Sequence, residues 1–267
     1  MALLFPRAPG PVLRQAGKLL DETGELFVTL LEGLRRTWDV RTWWGEFIEQ
    51  CWFMIRVTTV PLLLIAIPLG ATISLQVGDI ARQIGAESST GALVVAGMVR
   101  QVAPLAAALL IAGSGGSAMT SDMGARRIRD ELSALEVMGI NPTHRLVTPR
   151  LWAASIVSVL LCSMVILSGT AGGFYFNVIQ QGVTPGAYFD GAAALLQLSD
   201  LLITLFKAWM FGLTAAAVAC MMGMNCDYGP AGVGRAVTRA TVATSLLVFA
   251  LNYTLETLYT VLVPPKF

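Results

Sequence analysis

With 267 residues and 18 Lys and Arg against 17 Asp and Glu, the chain has no excess of charge that would hold a nucleic acid. Apolar residues make up 55% and charged ones 13%, about half the charged share of a soluble globular chain, so lipid is the solvent the composition fits. A single histidine, His144, excludes haem or zinc chemistry built on several imidazoles, and Cys51, Cys162, Cys220 and Cys226 lack zinc-finger or CxxC spacing and read as buried thiols.

Met1 to Phe5, followed by Pro6, is too short for a cleavable signal peptide. Val12 to Leu34 then reads as an amphipathic helix. Leu13, Ala16, Leu20, Phe27, Leu30, Leu31 and Leu34 recur at helical spacing among Arg14, Lys18, Asp21, Glu22, Glu25 and Glu32. It is too polar to cross a bilayer. Trp38, Trp43, Trp44 and Trp52 follow, and tryptophan favours the headgroup level. Residues 12–50 are expected to lie as one or two helices in the inner membrane face, or else to pack on a soluble partner. The predicted organisation is an interfacial segment, 1–50, and a five-helix membrane domain, 51–267.

Five apolar runs are long enough to cross, at about 20 residues each. They are Val57–Val77, Gln101–Ser121, Leu151–Asn177, Ala208–Asn225 (which can borrow Leu201–Phe206) and Ala240–Val263. The third is expected to end near Gly172-Gly173. Gly91–Val99 is apolar but short, and is either an extension of the second crossing or a half-helix on the far side. With the N-terminus in the cytoplasm, only Arg82, Arg100, Lys207 and Lys266 of the 18 Lys and Arg fall outside. The positive-inside bias therefore predicts a plasma (inner) membrane protein with a cytoplasmic N-terminus and an external C-terminus. Arg56, Arg100 and Lys207 fall at crossing ends, where snorkelling to the headgroups is the plain reading. Holding a lipid headgroup or a carboxylate is the alternative for Arg100 and Lys207. Glu256, inside the last run, either faces water at its outer end or lines a cavity between two copies.

Between the second and third crossings, Ala125–Met138 is charged, helix-prone and free of Gly and Pro. Asp122 or Ser121 is the expected cap, and Gly139 fits the left-handed C′ position before Asn141-Pro142. Ile128, Leu132 and Leu135 share a face with Met138 beside it. Arg127 and Glu131 are four apart and can pair. Taken alone, this is either a solvated loop helix or a helix that another protein reads. No GxxxxGK[ST] phosphate loop occurs in the sequence, and the small residues at Gly113-Ser114-Gly115-Gly116 suit close helix packing.

The run Asp130-Glu131-Leu132-Ser133-Ala134-Leu135-Glu136-Val137-Met138-Gly139-Ile140-Asn141-Pro142 resembles the EExDALxxMGxxP motif of the MlaE/YrbE permeases. Flanking Asp122–Arg126 and His144–Arg150 extend the likeness, as does the five-crossing layout. Asp130 stands where the motif has its first Glu, and Ser133 where it has Asp. Phe47–Val57 and Gly182–Tyr188 are similar to the actinobacterial YrbE type that accompanies Mce proteins. The resemblance implies an all-α permease subunit of an ABC lipid transporter, with a coupling helix docked on a separate ATPase. Arg127, Asp130, Glu131, Leu132, Leu135, Glu136, Met138 and Gly139 would form that contact, with Leu132, Leu135 and Met138 as apolar knobs. It further implies a second permease, as copy or paralogue, and MCE-domain proteins outside. ATP and Mg would sit on the ATPase, with no cofactor on this chain. Fatty acids, sterols or other lipids would be the cargo. Arg100, Lys207 and Glu256 are the candidates for a headgroup or path.

Two other classes compete. A stand-alone secondary carrier would place ionisable residues inside its crossings, and the sequence shows almost none. An intramembrane enzyme would need paired acids, a His cluster or a GxSxG turn, none of which the crossings contain.

Overall fold

The computed structural model describes residues 24–33, 35, 40–85 and 90–262. Within these, every regular element is a helix: α1 (Val40–Gln83), α2 (Thr90–Ile128), α3 (Glu131–Val137), α4 (Thr143–Gln180), α5 (Pro185–Leu195), α6 (Leu198–Met224) and α7 (Pro230–Leu262). Five of them, α1, α2, α4, α6 and α7, are long and apolar enough to cross a membrane. A bilayer offers no water to backbone N–H and C=O groups, so each crossing must bond internally, as a helix does. The fold is thus the all-α membrane protein the composition predicts. Following the second and third crossings respectively, α3 and α5 lie at opposite ends of the bundle.

Burial ranks the helices. In α2, α4 and α6, 50–56% of the most apolar window is buried, against 22% in α1 and α7. The centre is packed with small residues, among them Ala107, Ala153, Ala154, Ala215, Ala216 and Ala219, around Met54, Met119, Met123 and Leu161. Small side chains let helices approach closely, which is how packing is gained where lipid is as apolar as the core. Along the contact of α1 with α4, backbone meets backbone: a Cβ on Gly70 would collide with the Gly169 carbonyl, and one on Gly172 with that of Ile67. Toward the α5 end, Ser74 donates to the Gly173 carbonyl at 3.0 Å and accepts from the Asn177 amide.

Several boundaries differ from the sequence reading. Gly91–Val99 is an extension of the second crossing, because Thr90–Ile128 is one continuous helix with π-helical turns at Met98–Val102 and Ile111–Gly115. Gly172-Gly173 does not end the third crossing. Both glycines are buried in helix contacts, and α4 continues through a π turn to Gln180. The fourth crossing starts at Leu198 and the fifth at Pro230, after Gly229 at φ +95°. A division at residues 50 and 51 falls inside α1, which runs unbroken from Val40. Trp43 is buried against Phe47 at 5.7 Å, whereas Trp44 and Trp52 are exposed.

Residues 24–33 of the amphipathic segment are helical and rest on the α3 end of the bundle. Leu30 packs on the core, Asn225 Nδ2 donates to Glu25 Oε2 at 2.9 Å, and the Thr148 hydroxyl reaches the Gly33 carbonyl. Phe27 and Leu31 are exposed. Leu13, Ala16, Leu20, Leu34 and Trp38 lie outside the described residues, as do Arg7, Arg14, Lys18, Arg36, Val263 and Lys266.

Candidate functional site

The sequence predicts one helix over Ala125–Met138, but the structure breaks it. The helix of the second crossing runs on to Ile128 and stops at Arg129 and Asp130, and α3 begins at Glu131. Asp130 has φ 56°, the only left-handed non-glycine among the described residues. Aspartate tolerates this region better than most residues because its short polar side chain bonds locally. The far end matches the expectation. Gly139 has φ +73°, its N–H donates to the Glu136 carbonyl, and the Ile140 N–H donates to that of Leu135, both at 2.9 Å. These two bonds form a Schellman motif.

The break redirects the side chains. Asp122 is not a cap but lies within the last two turns of α2, facing Arg126 and Arg150. Arg127 does not pair with Glu131. Its guanidinium donates to the Met224 carbonyl at the end of α6 and lies 5.8 Å from the centre of the Tyr228 ring. Glu131 instead meets Arg129 at 2.7 Å and Arg126 at 3.9 Å. Leu132 and Leu135 turn inward and pack on the protein's own core. The apolar knobs left outside are Val137, Met138 and Ile140, at 89%, 64% and 42% exposure. Ser133 and Glu136 are exposed beside them. Between α3 and the α6–α7 turn lies a cleft of about 710 Å³, lined by Arg127, Glu136, Asn141, Asn225 and Tyr228 among others.

Behind α3 lies an ion network. Arg150, on α4, is fully buried. Its Nη2 donates to Asp122 Oδ2 at 2.6 Å and to Glu46 Oε1 at 3.1 Å, and its Nη1 to the Leu146 carbonyl at 2.7 Å. Glu46 lies on α1 and also accepts from Gln50 at 3.3 Å. A guanidinium suits this place because its planar fork serves several acceptors at once.

At the α5 end the three residues suggested for a headgroup or path are all paired. Arg100 bonds Asp200 at 2.9 Å, and the Asp200 carboxylate also accepts from the Tyr259 hydroxyl at 2.8 Å and the Gln197 N–H at 3.1 Å. Lys207 is 1% exposed and pairs with Glu256. Nine residues into α6, it lies about 14 Å from the helix start at 1.5 Å per residue, so snorkelling gives way to an internal ion pair. Asn252 and Gln101 bond nearby at 3.3 Å. Beside this cluster a second cavity, of about 650 Å³, is lined by Val95, Val99, Phe174, Tyr188, Phe189 and Leu201 among others. Burial pushes the Tyr188 hydroxyl up to about 12.

Asp200, Tyr259, Glu46 and the role of Arg150 escape the sequence reading. A signal was present: an acid in each of two helices otherwise free of charge over most of their length. Apart from local bonds to Gln50 and Gln197, their partners lie 28 to 104 positions away.

A bundle of five apolar helices, with ion pairs joining them and a charged hairpin helix at one end, defines a multi-pass membrane protein. Residues 47–258 match the family model described as Permease MlaE. The chain is 32% identical to the intermembrane phospholipid transport system permease protein MlaE of Haemophilus influenzae, over 73% of this chain and 75% of that one. It is 28% identical to a probable ABC transporter permease of Synechocystis, over 88% and 86%, and 30% identical to one of Rickettsia felis, over 71% and 73%. The chain belongs to the MlaE permease family.

Proposed function

We propose that this chain is the membrane subunit of an ABC-type lipid transporter of the Mce class, and that α3 is the element its ATPase grips. The N-terminus and α3 face the cytoplasm and the C-terminus faces outward, as the distribution of Lys and Arg supports. The segment that precedes α1 is interfacial, with Phe27 and Leu31 exposed on its described part. ATP and Mg bind a separate polypeptide, a second permease of the YrbE type completes the membrane unit, and MCE-domain proteins stand outside. Fatty acids, sterols or other lipids are the cargo class. The apolar cavity at the α5 end has little polar surface to replace a hydrated solute's water, which favours such a cargo.

One observation carries the reading. Val137 at the end of α3, and Met138 and Ile140 just beyond it, stand exposed, and the helix is fixed at its two ends by the left-handed Asp130 and by the Schellman motif at Gly139. Apolar knobs on a rigid, charged rod are what a docking groove takes. Val137→Asp tests this, because a side chain 89% exposed contributes little to the fold. The five-helix protein should accumulate normally while ATPase co-purification falls at least tenfold. Undiminished co-purification and transport would overturn the assignment of α3.

A second reading, a stand-alone carrier, gains from Arg100, Asp200, Lys207 and Glu256 inside the crossings. They satisfy one another as neutral pairs, which weakens it. Transport driven by an ion gradient with no nucleotide-hydrolysing partner would establish it.

A further inference from the structure

We propose that Arg150 is a positioning residue that locks the two legs of the α3 hairpin to each other and to α1, so that force applied at α3 reaches the first crossing. The proposal rests on the reading of α3 as the ATPase contact. It goes further by naming the load-bearing cross-link and the helix that receives the motion.

The geometry is a three-way tie. One leg is the end of α2, with Asp122 six residues before Ile128, and the other is the start of α4, with Arg150 seven residues after Thr143. Both lie about 10 Å along their helices from the hairpin, at 1.5 Å per residue. At that level the Asp122–Arg150 bond, at 2.6 Å, spans the legs. The same Nη2 reaches Glu46 on α1 at 3.1 Å. The legs therefore cannot open like scissors without breaking a charged bond whose cation is fully buried. Above the tie, α1 continues along α4 through the backbone contacts at Gly70 and Gly172. Beyond them come the Ser74–Gly173 and Ser74–Asn177 bonds. Once fixed at its base, α1 follows α4 along its length. Packing alone would not call for an arginine here. A buried cation with two acids is often no more stabilising than apolar side chains of the same volume, whereas it fixes one register between three helices.

The test uses the permease assembled with its ATPase, carrying spin labels at exposed Ile80 on α1 and exposed Tyr253 on α7. Adding a non-hydrolysable ATP analogue should change their separation by a few ångströms, the scale of helix shifts in such transitions. Glu46→Gln and Asp122→Asn should each abolish that change, with ATPase still bound and its hydrolysis within about twofold of the parent. A purely structural role would instead lower the melting temperature and leave the nucleotide response in place. A response that persists in both variants, or is absent from the parent complex, overturns the proposal and leaves the ATPase contact standing. Loss of the ATPase from the parent complex would overturn both. Should Asp122→Asn fail to accumulate, Glu46→Gln decides alone, since Glu46 holds Arg150 by the longer bond, 3.1 Å against 2.6 Å, and its loss leaves the Asp122 bond in place.

Discussion

The two ends of the bundle are stitched by different charges into different groups. At the α3 end, Glu46, Asp122 and Arg150 join α1, α2 and α4 through one buried guanidinium. At the α5 end, Arg100–Asp200, Asp200–Tyr259 and Lys207–Glu256 join α2, α6 and α7 through two separate cations. Only α2 belongs to both groups. Between its two charged attachments it carries the π turn at Ile111–Gly115, a helix irregularity that recurs at functional sites. Among the described residues, α2 is thus the one helix whose charged side chains take part in both groups.

The largest effect that would sharpen this contrast is expected at the α3 end. Glu46→Gln combined with Asp122→Asn strands the fully buried Arg150 guanidinium without either carboxylate, and should cost about 3–5 kcal/mol, the usual penalty for breaking a buried ion pair from one side. Thermal unfolding in detergent would show it, and an unchanged midpoint would mean that the network contributes nothing. Next comes an asymmetry at the α5 end. Glu256→Gln strands a fully buried ammonium, while Lys207→Met leaves a carboxylate that is 31% exposed and can hydrate. The first should cost about 3 kcal/mol and the second clearly less, with the double variant recovering most of the loss. Equal costs would break the picture of one deep and one shallow partner.

Smaller effects follow. Tyr259→Phe removes one neutral donor from Asp200 and should cost about 1 kcal/mol, without altering the Arg100 pair. Arg129→Ala is the control: its bond to Glu131 is exposed on both sides, and such pairs are worth less than about 1 kcal/mol. A large loss there would show that α3 is braced by surface charge and not by Leu132 and Leu135.

Hydropathy made the crossings legible, because a lipid-facing helix must be apolar along its whole contact. Their ends were harder to read, since α6 and α7 continue as helices into polar sequence at Leu198 and Pro230. Gly139 could be placed because a left-handed C′ residue is a local demand. Asp130 could not, because nothing in its neighbourhood marks an aspartate for a left-handed turn. With the turn there, Leu132 and Leu135 pack, half-buried, against the core, and Val137 and Ile140 are the exposed knobs. The ion networks were illegible for a different reason. Arg100 and Asp200 are a hundred positions apart, and a lone charge near a crossing end reads as a snorkelling side chain until its partner is seen.

The glycine contact between α1 and α4 has one more consequence. Where Gly70 lies on Gly169 and Gly172 on Ile67, main chain touches main chain and no side chain stands between that could swing aside. A hydrocarbon tail needs a doorway at least as wide as itself, and this flank of the bundle is a sealed wall. No amphiphile can slip sideways between α1 and α4 there.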